Sequence, residues 1–210
     1  MTGESPTTPL QAAESRGVTE LLHYTTQRGV HGTIASRALL SRARLDKDEY
    51  LEHIREPVWP RKDPAWVDHI SLSVSSINDE LFRQSRLHYP HLWWAVISLD
   101  PVILDDSDVV FTTTNNIFPM VRRAGGVGGF EAMFGDPVYG KYSSVHTRAG
   151  LSACQPTDRA AEVLYPGSIA TERVQRVYVV DAEHKRTVLA WCEALDHPDL
   201  PVEIRPDVFA

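Results

Sequence analysis

Five positions in this 210-residue chain put hydrogen-bonding or charged side chains where a strand would ordinarily carry apolar ones. His23 and Thr25 lie two apart in Leu22-His23-Tyr24-Thr25-Thr26, so a strand there turns both to one face. Ser71 and Ser73 alternate with Ile70, Leu72 and Val74. Glu162 opens the apolar run Val163-Leu164-Tyr165, directly after a glycine-rich stretch. Imidazole, hydroxyl and carboxylate groups hold polar ligands by hydrogen bonds, and a carboxylate also faces positive charge well. Taken singly, each has a plainer reading: a half-exposed edge strand, serines facing solvent, a solvated strand end. Only their combination points to a site.

Familiar catalytic motifs are missing. The chain has no phosphate loop ending in Gly-Lys-Ser/Thr, no G-x-G-x-x-G after a strand, no H-E-x-x-H and no G-x-S-x-G. Gly125-Gly126-Val127-Gly128-Gly129 does not follow a buried strand directly and reads as loop flexibility. The nine histidines are scattered without ligand spacing. Cys154 and Cys192 form no thiolate metal site and read as small core residues. Common hydrolase, kinase and metalloenzyme readings therefore lack support, and no metal is expected.

The elements that must position these side chains follow from periodicity. A short strand is predicted at 20–24, then a helix over 27–37 capped by Thr25 or Thr26 with Val30 and Ile34 inward. A further helix is expected at Lys47 to Arg55, before a loop held extended by Pro57, Pro60 and Pro64. Strict alternation predicts a strand at 69–74, and Trp93 to Leu99 reads as a central strand, apolar on both faces. Asp108 to Phe111 is another strand. From 112 to 160 the chain is expected to be mostly irregular, with one helical turn at Phe130 to Phe134. Such a stretch is usually functional or mobile. Strands at 162–165 and 173–180, a helix over about 183–195 and a strand at 202–205 complete an α+β fold without internal repeats. Residues 1–18 read as a flexible leader and 19–210 as a single domain.

Composition fits this picture. Apolar residues make up 42% and charged residues 23%, which excludes wholesale disorder. The longest apolar run, Leu92 to Ile97, stays far short of the roughly 20 residues that span a bilayer. No secretory signal is visible, and a reducing, cytoplasmic setting fits the cysteine usage. The net charge of −7 argues against a generic polyanion binder.

Leu22-His23-Tyr24-Thr25-Thr26, a helix and Ala38-Leu39-Leu40-Ser41 resemble the H-x-T strand, helix and turn of the DarT family of DNA ADP-ribosyltransferases, and the order and spacing of further short motifs are similar to that family's. His69 to Asn78 and Trp93 to Pro101 resemble its next two strands. Phe111-Thr112-Thr113-Thr114-Asn115-Asn116 is similar to its F-x-x-x-N-A element, with Asn116 in place of alanine. Phe130 to Phe134 resembles its helix ending in M-F, and Pro156-Thr157-Asp158-Arg159-Ala160-Ala161-Glu162-Val163-Leu164 its Q-A-E-V-L segment, with Ala160 where Gln is frequent. A rival match, His31-Gly32-Thr33, resembles the triplet of poly-ADP-ribose polymerase-like enzymes. It lies too close to Leu40 to leave room for the helix between.

The resemblance implies an ADP-ribosyltransferase fold of split, mostly antiparallel sheets with flanking helices. It implies transfer of ADP-ribose from NAD to a base in single-stranded DNA by the toxin of a toxin–antitoxin or phage-defence pair. The same fold acting on RNA or protein, or a catalytically inactive binding module, are the alternatives. Glu162 would stabilise an oxocarbenium-like transition state. His23, Tyr24, Thr25, Gly32, Leu40 and Ser71 would bind NAD, and an arginine, Arg55 or Arg61, would assist. Arg122, Arg123, Tyr139, Lys141 and Arg148 would meet DNA, with Tyr142 and Phe118 available for stacking. The 117–160 stretch has net charge +2, whereas 62–116 has 3 basic against 8 acidic residues, so the positive charge is local. Partners implied are NAD, DNA and an antitoxin protein with ADP-ribosyl-hydrolase activity, but no membrane, for a monomeric enzyme. The 69–74 alternation resembles the guanine-modifying branch more than the thymine-modifying one.

Overall fold

The computed structural model describes residues 5–45 and 64–209. In chain order the helices are α1 (Pro9–Ser15), α2 (Gln27–Ser36), α3 (Arg42–Leu45), α4 (Asp79–His88), α5 (Gly126–Ala132) and α6 (Ala182–Ala194). The first six strands are β1 (Leu21–Thr26), β2 (Ala38–Leu40), β3 (His69–Val74), β4 (Trp94–Leu99), β5 (Val110–Thr112) and β6 (Arg123–Gly125). The others are β7 (Val138–Tyr139), β8 (Val145–His146), β9 (Glu162–Pro166), β10 (Ser168–Ala170), β11 (Val174–Val179) and β12 (Val202–Ile204). This is the α+β, mostly antiparallel architecture expected. The expected helix at 47–55 lies outside the described residues, as do Arg55 and Arg61.

The chain divides into two compact units. One comprises the residues up to Leu21, Ser71–Ser76 and Asp100–Tyr165; the other comprises Leu22–Ile70, Ile77–Leu99 and the chain from Pro166 on.

In the first unit the strands run in the order β3-β9-β5-β6. Ile70 aside, the buried side of β3 is Leu72 and Val74, each 1% exposed, as the alternation predicts. Residues 1–18 do not all form the expected leader. Thr8 accepts the Gln11 N–H at 3.3 Å and Pro9 occupies the first turn, which starts α1. Ala12 and Ala13 are fully buried, the Leu10 N–H donates to Asp105 Oδ1 at 2.9 Å, and Arg16 pairs with Glu131 while lying 4.2 Å from the Phe134 ring centroid. Two alanines suffice because a small side chain lets a helix approach closely, and so short an apolar stripe leaves no periodic signature.

The glycines at 125–129 also serve packing rather than looseness. Gly125 is the N-cap of α5, and a Cβ at Gly129 would lie 2.2 Å from the Ala124 carbonyl oxygen. Only glycine lets α5 fold back on β6 there.

In the second unit the order is β12-β11-β4-β1. β11 runs antiparallel to β4 with Val177 opposite Ile97, and β12 parallel to β11 with Val202 opposite Val177. Alternate residues feed two cores. Ala95, Val177 and Val179 join Val30 and Ile34 of α2 and Val188 and Cys192 of α6. Val96 and Tyr178 join Leu22, Ile77, Phe82 and Phe209. Short β2 pairs antiparallel with β10, Leu40 opposite Ser168.

Candidate active site

The register of the first unit aligns three residues across adjacent strands. Thr112 stands opposite Glu162 on one side and Arg123 on the other, so all three side chains leave the same face of the sheet. Thr112 is fully buried; its hydroxyl accepts the Glu162 N–H at 3.0 Å and donates to the Thr114 carbonyl at 2.8 Å. This bond turns the chain after β5 inward, and the Asn116 N–H reaches Glu162 Oε2 at 2.7 Å. The Ser71 hydroxyl, from β3, donates to the other oxygen, Oε1. Each carboxylate oxygen of Glu162 thus has its own donor, while the side chain stays half-exposed. A carboxylate held at both oxygens presents a fixed negative edge, suited to facing a cation or gripping hydroxyls.

A second ring of buried polar groups backs this turn. Asp158, 3% exposed, accepts the Thr114 hydroxyl at 2.5 Å and the Ala160 N–H at 2.8 Å, with His146 Nε2 3.5 Å away. Buried polar groups are tolerated when satisfied in this way, and they then fix the backbone on either side of Glu162. Sequence reasoning did not assign roles to Thr112, Thr114, Asn116 or Asp158, although all four lie in the two motif segments quoted above. The signal was the unusual run Thr112-Thr113-Thr114-Asn115-Asn116 after a strand.

Ser71, expected at the ligand, has its hydroxyl on Glu162. Two of the arginines expected at DNA are half-exposed and tied to nearby loop groups. Arg123 donates to the Asn116 side-chain oxygen at 2.8 Å and to its carbonyl at 2.5 Å. Arg148 donates to the carbonyls of Gln155 and Ser152, each at 2.9 Å, and lies 5.4 Å from the Phe134 ring centroid. Planar five-donor guanidinium groups close irregular loops well, and both side chains stay half-exposed. Arg122, Tyr139 and Lys141 are exposed; Tyr139 is 68% and Tyr142 87% exposed, with Lys141 Nζ 4.7 Å from the Tyr142 ring centroid. The 138–146 hairpin, β7 pairing with β8, carries them.

In the second unit His23 and Thr25 are half-exposed on β1, alternating with Leu22 and Tyr24. The Tyr24 ring packs edge-on to Phe82 at 5.2 Å and lies 6.1 Å from Trp94. Thr26, not Thr25, caps α2, accepting the Gly29 N–H at 3.4 Å. Thr25 is instead fitted against the helix: a Cβ on Gly29 would stand 1.9 Å from its hydroxyl oxygen. Gly29 was not singled out in the sequence, because one helical glycine carries no pattern. Gly32 is buried inside α2 and Leu40 ends β2. His31 lies in the same helix, edge-on to Trp191 at 5.2 Å, which sets it apart from a strand-borne H-x-T.

Among the described residues no group of three or more His, Cys, Asp or Glu is arranged to hold a metal ion, and no helix is long and apolar enough to cross a membrane.

The family model described as "ssDNA thymidine ADP-ribosyltransferase, DarT" matches residues 22–210. Its description names thymidine, against the guanine that the β3 alternation suggested. No curated protein matches in sequence. Among solved structures, Thermosipho africanus DarTG with ADP-ribose shares 14% identity at a TM-score of 0.55, over 91% of this chain and 51% of that one. The chain thus spans about half the length of that protein. Thermus sp. 2.9 DarT with ADP-ribosylated ssDNA shares 12% identity over 92% of this chain and 97% of that one, TM-score 0.61. The same protein with NAD+ gives 12%, 91%, 98% and 0.60. At these identities the likeness shows a shared fold.

Proposed function

The chain belongs to the DarT family, ssDNA thymidine ADP-ribosyltransferases, and we propose that Glu162 is the carboxylate through which it moves ADP-ribose from NAD to a base of single-stranded DNA. The observation that supports this is the grip on Glu162: a hydroxyl from β3 on one oxygen and a backbone N–H on the other.

In the reaction the bond between nicotinamide and ribose breaks, and nicotinamide leaves with the bonding electrons. Positive charge then spreads over the ribose C1′ and ring oxygen. A negative edge held in place beforehand stabilises that charge without reorganising as it forms. A base nitrogen closes the new bond to C1′ and loses its proton. His23, Tyr24, Thr25, Gly32 and Leu40 are proposed to hold NAD. Arg55 or Arg61 is proposed to take a phosphate and assist the proton. Arg122, Tyr139, Lys141 and Tyr142 are proposed to take the DNA strand, through phosphate contacts and base stacking. Thymidine is the base the family description favours. A monomeric, cytoplasmic enzyme, acting as a toxin beside an antitoxin protein that removes the ADP-ribose, completes the proposal.

The test supplies labelled NAD with single-stranded DNA, RNA and protein in separate reactions. Label on DNA, lost by about a hundredfold or more in Glu162→Gln, is expected. Label on protein alone, or an undiminished Glu162→Gln enzyme, overturns the reading. Mass spectrometry of the released nucleosides then decides between thymidine and guanosine.

A further inference from the structure

Arg123 lies two strands away from Glu162, yet its guanidinium is tied to the residue whose N–H holds the carboxylate. Nε donates to Asn116 Oδ1 at 2.8 Å and Nη2 to the Asn116 carbonyl at 2.5 Å. Asn116 is 3% exposed, and its N–H donates 2.7 Å to Glu162 Oε2. The strand register leaves Arg123 no freedom to drift, since it faces Thr112, which in turn faces Glu162.

We infer that Arg123 is a positioning residue for the transfer reaction: it holds Asn116 by its side chain and its carbonyl, so that the N–H on the preceding peptide stays pointed at Glu162, and it does not serve as a DNA contact. The inference rests on the reading of Glu162 given above. Three features of the geometry support it. The two acceptors on Asn116 lie on both sides of that residue's rotatable bonds, so the fork fixes side chain and backbone together. A guanidinium suits the task because two donors in one plane reach two acceptors at once; an ammonium presents a single compact charge and cannot bridge them in the same way. Finally, the Asn116 N–H carries the positive end of a peptide dipole toward Glu162, so a tilted peptide loosens the one carboxylate oxygen that Ser71 does not hold.

The same geometry makes the Asn116 side chain a partner of Arg123. An alanine there offers a carbonyl and no side-chain oxygen, so half of the fork would have nothing to grip.

The experiment measures steady-state transfer to single-stranded DNA for Arg123→Lys, Asn116→Ala and the double variant, beside Glu162→Gln. Arg123→Lys is expected to lower kcat between about tenfold and a hundredfold, the range for a slightly misplaced catalytic group. KM for NAD and for DNA should stay within about twofold, because ground-state binding is untouched. Combining it with Asn116→Ala should add little to the loss, since both act through the one residue. Unchanged thermal midpoints would show the variants folded; if Arg123→Lys unfolds, Asn116→Ala alone must still give the kcat loss without a KM change. The inference is overturned if Arg123→Lys keeps its kcat, or if its defect appears as a raised KM for DNA with weakened salt dependence. An inactive Glu162→Gln beside a fully active Arg123→Lys sinks this inference alone. A fully active Glu162→Gln sinks the reading beneath it as well.

Discussion

The two units bury different chemistry. In the second, buried polar side chains are dispersed: Thr33 bonds back to Gly29, Thr26 caps α2, and His197 meets Thr171 at 2.9 Å. Around them lie aliphatic and aromatic clusters centred on β4 and β11. In the first, the buried polar residues Thr112, Thr113, Thr114, Asn116, Thr157 and Asp158 crowd into two short segments, the two that flank Glu162. An apolar core gains stability from many small contacts and yields gradually. A polar network depends on a few directed bonds, and one lost partner leaves a buried group unsatisfied. The molecule thus places its least forgiving interior where a carboxylate must be aimed.

That contrast is open to direct attack. Phe82→Ala should cost most in stability, about 3–5 kcal/mol by denaturant midpoint, since Phe82 is 3% exposed between Tyr24, Trp94 and Phe209. Its folded fraction should still transfer ADP-ribose; complete inactivity without unfolding would erase the distinction between the units. Thr114→Val should cost less, about 1–3 kcal/mol, because Asp158 loses a hydroxyl donor. Here the transfer rate should fall out of proportion to stability, and a rate that merely follows the folded fraction would count against the network's role. Tyr139→Ala should leave stability within about 0.5 kcal/mol. Its effect should appear as weaker single-stranded DNA binding, by about 1–3 kcal/mol in a fluorescence titration if the ring stacks on a base. Binding unchanged by that substitution would remove the 138–146 hairpin from the DNA surface.

Most of the fold was legible because most of it repeats. Period-two alternation marked β3, and the spacing of Val188 and Cys192 marked α6. Thr26 announced α2. The missing pieces are those in which one residue does the work of a pattern. Helix α1 rests on two alanines and a proline, and α4 on an Asn78 side chain that accepts the Leu81 N–H at 3.1 Å. The 112–160 stretch holds more regular structure than its glycines suggested, because Gly129 is there to admit a close carbonyl. At the site, Glu162 was legible by its place before an apolar strand and by family resemblance. The partners of its carboxylate were not, since a backbone N–H such as that of Asn116 leaves no mark in residue type. Counting charge found the positive stretch but could not tell Arg122, which is exposed, from Arg123 and Arg148, which are half-exposed and bonded to loop carbonyls.

The row Arg123–Thr112–Glu162 is set by strand register, and register has a period of two. Inserting one residue within β5 or β9 would send alternate side chains to the opposite face and turn Glu162 away from Asn116. Among the described residues β7 and β8 pair with no third strand, and β8 holds His146 3.5 Å from Asp158, so only the exposed tip between them, Lys141 to Ser143, escapes that constraint. Descendants of this sequence can therefore change the length or side chains of that tip without shifting the strand register that carries the row. How the carboxylate is aimed and what the hairpin tip presents to solvent are thus inherited on separate segments of the chain, free to diversify at different speeds.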